Sequence, residues 1–381
     1  MSRFTFPKQV GRVPENVVKL IPNEEERAMS LHDRSVVFDL RVTGGNMIPD
    51  NPDQLQEWRY WGMFVPETHQ FGYEGLKAGG ITAFSQDVGQ FLCLNNKVGW
   101  KFEDLVTDLG LYLYDIGRHP KEVIHGLRSE DIRRAKREGK FAVFFTIENS
   151  EHIYRDLDRI NVLHGLGVRS QMLSYNKMSF VGNGLVESTA KTFGLTDFGH
   201  EYIARMNEVG MIIDATHSGS QTTIEAAQVS KAPILLSHTG ARALHDTARL
   251  ATDEVMHAVA EGGGLVGVHA GPNILSNDKN QGVGTVVDHI DYIAKLVGVD
   301  HVGLGTDNQF GSKQTQNTFV KSENTTTSSY IGNAVEYMAG IADPSQERNL
   351  TRELVRRGYS DEEVEKVIGL NALRVYERAI G

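Results

Sequence analysis

The feature that most constrains this chain is a recurrence: eight short apolar, β-branched runs, most of which end in a polar residue. They are VVFDLRV (36–42), ITAFSQDV (81–88), FAVFFTIE (141–148), VRSQMLSY (168–175), MIIDATH (211–217), PILLSH (233–238), LVGVHA (265–270) and HVGLGTD (301–307). Helical patterns such as QTTIEAAQVSKA, TDEVMHAVAEGG and VVDHIDYIAKLVG lie between the later runs. Strands that alternate with helices form parallel sheets joined by crossover helices. Eight such units predict an α/β fold, a single (β/α)8 barrel of the TIM type. The runs are nearly continuous in apolar character, as expected of strands covered on both faces.

No Pro/Gly/Ser linker divides the 381 residues. The expected organisation is therefore one barrel domain over 36–381, preceded by an N-terminal extension (1–35) and closed by C-terminal helices within 362–380. Residues 43–79 read as a decoration of the first strand-to-helix connection. The polar stretch 308–329 follows the last strand, on the face where long connections serve as lids or binding loops.

Composition removes several function classes. A formal net charge of −10 argues against a nucleic-acid partner, because phosphate recognition needs a basic patch. No stretch approaches the roughly 18 uninterrupted apolar residues of a spanning helix, and the N-terminus has no apolar run behind its basic residues. A cytoplasmic protein with no membrane partner is expected, so the sequons at Asn324 and Asn349 carry no glycosylation meaning. Cys93 is the single cysteine, read as a buried thiol, and it leaves neither a disulfide nor a thiolate zinc site.

Two motifs are decoys. Gly262-Gly263-Gly264-Leu265-Val266-Gly267 fits GxGxxG literally but follows a helix and precedes a strand, the reverse of a dinucleotide site. His200-Glu201 opens like a zinc-protease helix, yet Ala204 stands where the second histidine belongs.

In such barrels, polar residues at the C-terminal strand ends converge on one mouth. That rule gathers Glu148, Tyr175, His217, His238, His269 and Asp307. Each histidine alone is as well explained as a strand cap, but together with a carboxylate they suit zinc, whose non-thiolate ligands are imidazole nitrogen and carboxylate oxygen. A metal there would acidify its water and polarise a carbonyl, which points to amide or ester hydrolysis. Asp307 is placed to accept the proton. Arg249 is placed to hold a substrate carboxylate through its planar fork.

The stretch 194–244, together with LKAGGIT (76–82), IENSEH (147–152), HVGLGTD (301–307) and GLNALRV (369–375), resembles the membrane (renal) dipeptidase family of zinc peptidases. That resemblance implies an amidohydrolase-type barrel with a two-zinc centre that cleaves dipeptides, commonly as a dimer. It matches Glu148 to the carboxylate that bridges both metals, and His217 and His238 to the histidines of the second metal. By the same match Asp307 is the catalytic aspartate and Arg249 the grip on the substrate carboxylate. Tyr175 replaces the family histidine that contacts substrate, and His269 lies on the same substrate-binding face.

The departures carry as much information as the matches. The family holds its first zinc with a His-x-Asp pair at the end of strand one, where this chain has Asp39-Leu40-Arg41-Val42-Thr43. Guanidinium is a permanent cation without a lone pair, so it cannot ligate a metal. The expectation is one zinc on Glu148, His217 and His238, with Arg41 in the vacated position pairing with Asp307 and Glu148. Such a pairing would lower the pKa of Asp307 and weaken it as a proton acceptor. The chain therefore reads as a dipeptidase-like metal-dependent hydrolase of a small carboxylate-bearing amide, with Asp307, Arg41 and Tyr175 as its reacting groups. Two rivals stand beside it: lyase or isomerase chemistry with Tyr175 as acid or base, and a non-catalytic binder of a small acid.

Overall fold

The computed structural model describes residues 4–43, 49, 51, 53–54, 66–89, 101–187, 193–310 and 335–381. Cys93, the sequon at Asn324, much of 43–79 and residues 311–329 of the polar stretch lie outside them.

All eight expected strands are present: β1 (Phe38–Asp39), β2 (Ala83–Asp87), β3 (Phe141–Ile147), β4 (Val168–Met172), β5 (Ile212–Asp214), β6 (Leu235–Thr239), β7 (Leu265–Val268) and β8 (Val302–Leu304). Each pairs in parallel with the next. The register Asp39↔Leu304 returns β8 to β1 and closes a (β/α)8 barrel. The glycine-rich decoy ends helix Asp253–Glu261 and leads into β7, in the order that excludes a phosphate cradle.

Three short strands were not legible as strands. Val123–His125 pairs with the first residues of β3, below the point where β4 joins it. Val42–Thr43 and Asn308–Gln309 pair with each other just above β1 and β8. Two or three residues are too few to show a period, which explains why patterning misses them.

One end of the barrel is apolar. Phe38 and Phe144 meet Tyr376 of helix Asn371–Ile380, with ring centroids 4.7 and 4.9 Å away. The expected helix over 362–380 is broken by a π turn, Lys366–Leu370. Gly369 sits there against β1, where an added Cβ would lie 2.0 Å from the carbonyl oxygen of Val36.

Helix Pro22–Arg34, within the expected extension, packs on helix Arg348–Arg356: Arg352 binds Glu25, and His32 meets the Thr351 hydroxyl. Asn349 of the second sequon is buried and donates to Gly340 O.

A candidate metal and substrate site at the strand ends

The C-terminal strand ends carry the polar groups. Arg41 follows β1, Asp87 ends β2, Glu148 follows β3, Tyr175 follows β4, His217 follows β5, His238 lies in β6, His269 follows β7 and Asp307 follows β8. Two buried aspartates brace this rim. Asp39 accepts from the backbone N–H groups of Arg41 and Thr306 and from the Thr306 hydroxyl, at 3.0, 2.9 and 2.5 Å. Asp214 accepts from the N–H groups of Thr216 and Ser237 and from the Thr216 hydroxyl. Asn176, His217 and Asp307 are all held in the left-handed backbone region, with φ of 60°, 65° and 55°. Such strain costs of order 1 kcal/mol or more per residue and concentrates where side-chain aim matters.

Arg41 is 1% exposed and meets three carboxylates. Its Nη2 lies 2.7 Å from Glu148 Oε1, its Nη1 3.4 Å from Asp87 Oδ1, and its Nε 3.2 Å from Asp307 Oδ1. Burial works against its charge, but the three acids outweigh burial and raise its pKa. Burial pushes Glu148 well above the usual carboxylate range and Asp87 up to about 7, with Arg41 opposing both shifts. The Asp307 side chain is 32% exposed. Burial raises its pKa too, yet the His269 hydrogen bond, Arg41 and Arg249 prevail and hold it at about 2. The Gly271 N–H donates to His269 Nδ1 at 2.5 Å, which assigns the ring proton to Nε2, 3.3 Å from Asp307 Oδ2.

Beyond Glu148 lies a pair of imidazoles. His217 Nδ1 is 2.7 Å from Asn176 Oδ1, and His238 Nδ1 is 2.8 Å from the Ser237 hydroxyl. When Nδ1–H donates in each ring, both Nε2 atoms carry lone pairs; the two stand 3.1 Å apart. Burial first, then Arg249, lowers both histidine pKa values well below normal, so both rings are neutral. His238 Nε2 is also 3.6 Å from Glu148 Oε1. Glu148 Oε2 is buried and has no hydrogen-bond partner among the described residues. One donor atom from each of Glu148, His217 and His238 lies within 4.8 Å of the other two. Two imidazole nitrogens that converge with the buried Glu148 carboxylate fit a divalent cation, and an N,N,O set suits zinc. On the other side of Glu148 the positive charge comes from the Arg41 guanidinium, which has no lone pair to give a metal.

Around these groups, Tyr175 stacks on His217 with ring centroids 4.5 Å apart. Arg249 is buried, and its Nη1 has no hydrogen-bond partner among the described residues. Burial lowers its pKa, against the pull of Asp307, Tyr175 and Glu148. Thr43, at the place of the family aspartate, is buried in the short strand that pairs with Asn308–Gln309. Sequence reasoning missed Asp87 and Asn176. Asp87 was detectable, since it is the last polar residue of the run ITAFSQDV, one position before its end, and the strand-end rule applies to it as to the others.

A parallel (β/α)8 barrel with a histidine, histidine and glutamate set at its strand ends defines the class. The membrane dipeptidase family (peptidase family M19) matches residues 53–322 and 326–380, and the chain belongs to that family of metallopeptidases. The dipeptidase tcpJ of Claviceps purpurea is 27% identical over 249 residues, 65% of this chain. The match spans 53% of that relative, about half of its length. An amidohydrolase from Pseudomonas aeruginosa superimposes with a TM-score of 0.76 at 27% identity, over 93% of this chain and 99% of its own. A metallo peptidase from Rhodobacter sphaeroides, liganded with a phosphinate mimic of the dipeptide L-Ala-D-Ala, shares the fold. Its TM-score is 0.69 at 20% identity, over 91% of this chain and 99% of its own. No helix among the described residues is long and apolar enough to cross a membrane.

Proposed function

We propose that the chain is a dipeptidase-like, metal-dependent hydrolase of a small carboxylate-bearing amide, with residues 36–381 as the catalytic domain and 1–35 as an extension. One zinc is held by Glu148, His217 and His238, and Arg41 takes the place of the family's first metal. The observation that carries this reading is the 3.1 Å approach of the His217 and His238 Nε2 atoms, with a carboxylate oxygen of Glu148 within 4.8 Å of the ligand atoms of both rings. When bound, the metal supplies Lewis acidity toward the amide carbonyl and toward water.

The chain's own residues do the rest. Arg249 binds the substrate carboxylate through its Nη1, which has no hydrogen-bond partner among the described residues. Asp307, aimed by His269 and Arg41, receives the proton at its partly exposed carboxylate. Because Asp307 is held at about 2, it is a weak base, and slow turnover of ordinary dipeptides follows. Arg41 holds Glu148 and Asp87 in place, while Tyr175 packs on His217 and offers its hydroxyl as an acid beside the substrate. That low basicity of Asp307 also favours a second reading, lyase or isomerase chemistry with Tyr175 as the acid or base; product analysis separates the two.

Metal content of protein purified without chelator, measured with hydrolysis of a dipeptide panel that includes L-Ala-D-Ala, tests the proposal. One zinc per chain and slow hydrolysis are expected. Two ions per chain would overturn the role given to Arg41, and a zinc-supplemented protein that retains none would overturn the metal site.

A further inference from the structure

The loop that carries Arg249 is fastened from behind by a histidine that lies outside the site. His289 is 2% exposed, on helix Val283–Val297. Its Nδ1 accepts from the Ala241 N–H at 3.0 Å, and its Nε2 donates to Leu275 O at 3.1 Å. Ala241 opens the loop after β6. That loop is closed by Ala251 N–H to Gly240 O at 2.9 Å and Arg242 N–H to Ala251 O at 2.8 Å. The Thr239 hydroxyl donates to Arg249 O at 3.1 Å. Leu275 belongs to the loop after β7, which begins at His269, the partner of Asp307. Gly240 is fitted to this joint, since an added Cβ would come 2.9 Å from His289 Nδ1 and 2.7 Å from the Leu275 side chain.

We propose that His289 is a positioning residue for the carboxylate grip: one buried imidazole ties the loop bearing Arg249 to the loop following His269 and so sets where the guanidinium stands. The proposal rests on the reading of Arg249 as that grip. Of the two bonds, the one to Ala241 governs Arg249, because it pins the base of the closed loop. His289→Asn keeps an acceptor at the Nδ1 position, whereas His289→Gln keeps a donor that reaches toward Leu275 O.

The test is binding, by calorimetry, of the non-hydrolysable phosphinate mimic of L-Ala-D-Ala and of its C-terminal carboxamide, to the metal-loaded protein and its variants. The readout is the ratio of the two Kd values, which general loosening of the fold would not move. Arg249→Ala is expected to weaken binding of the carboxylate form about 30-fold or more and to abolish the preference for it. His289→Ala and His289→Gln are expected to erode the preference by roughly fivefold to tenfold, the worth of one buried hydrogen bond, with zinc content unchanged. His289→Asn is expected to keep the preference. An unchanged ratio in the Ala and Gln variants, while Arg249→Ala abolishes it, overturns the role of His289 alone. An unchanged ratio in Arg249→Ala overturns the grip itself, and no binding to the unsubstituted protein overturns the hydrolase reading. If His289→Ala does not fold, the Asn and Gln variants decide, and equal ratios in those two overturn the proposal.

Discussion

Glu148 divides the site into two sides that satisfy charge by opposite means. On one side the chain supplies its own cation: Arg41 lies within 3.4 Å of Asp87, Glu148 and Asp307. On the other it supplies only lone pairs, the Nε2 atoms of His217 and His238 at 3.1 Å. The first side carries its counter-charge within the chain, and on the proposed reading the second gains one from a bound cation. A tethered cation cannot be exchanged, so it serves structure and field, whereas an exchangeable one can take substrate or water into its coordination shell.

The largest expected effect that would break this contrast is on the histidine side. His217→Ala should abolish zinc binding and activity together while the barrel folds; metal analysis that finds the ion retained would remove His217 from the ligand set. Next comes the arginine side. Arg41→Leu leaves the buried Asp87 and Glu148 and the partly exposed Asp307 without their counter-charge, so a loss of about 3–5 kcal/mol is expected. Urea denaturation measures it, and a loss under about 1 kcal/mol would show that these acids discharge by taking up protons instead.

A third test uses a buried histidine far from the site whose two nitrogens are both satisfied by the chain. His32 Nε2 meets Gly79 O at 2.8 Å and its Nδ1 meets the Thr351 hydroxyl at 2.7 Å. Burial, aided by Arg348, lowers its pKa from 6.5 to about 4. The unfolded chain therefore takes up this proton first as pH falls, and stability is lost progressively between about 6.5 and 4, on the order of 3 kcal/mol in total. Urea midpoints across this window should fall less steeply for His32→Gln than for the unsubstituted protein; parallel slopes would deny His32 that share. The smallest effect sharpens the histidine side. Asn176→Ala frees the His217 ring and should weaken zinc binding about 10- to 100-fold without removing it. Competition with a chelator of known affinity measures the change, and an unaltered affinity would show that Asn176 does not aim the ring.

Much of this was legible from residue order. The eight strands, their parallel arrangement and the polar strand ends follow from periodicity and from where each run stops. Asp87 was equally legible by that rule. Asn176 was not, since nothing local marks an amide as the partner of a histidine 41 positions later. The strand Val123–His125 and the π turn Lys366–Leu370 are decided by what lies beside them, the start of β3 and the backbone of β1.

By itself the sequence determined the period of its strands and helices, the kinds of donor atom at their ends, and the presence of a guanidinium, which cannot ligate a metal, at Arg41. These are local properties: side-chain chemistry and the alternation of apolar and polar residues. Only the tertiary structure decided that Arg41 also reaches Asp87, that two imidazoles approach each other at 3.1 Å beside Glu148, and that Asp87 is pushed up to about 7. Distance and desolvation set those outcomes, and neither exists until the barrel has closed.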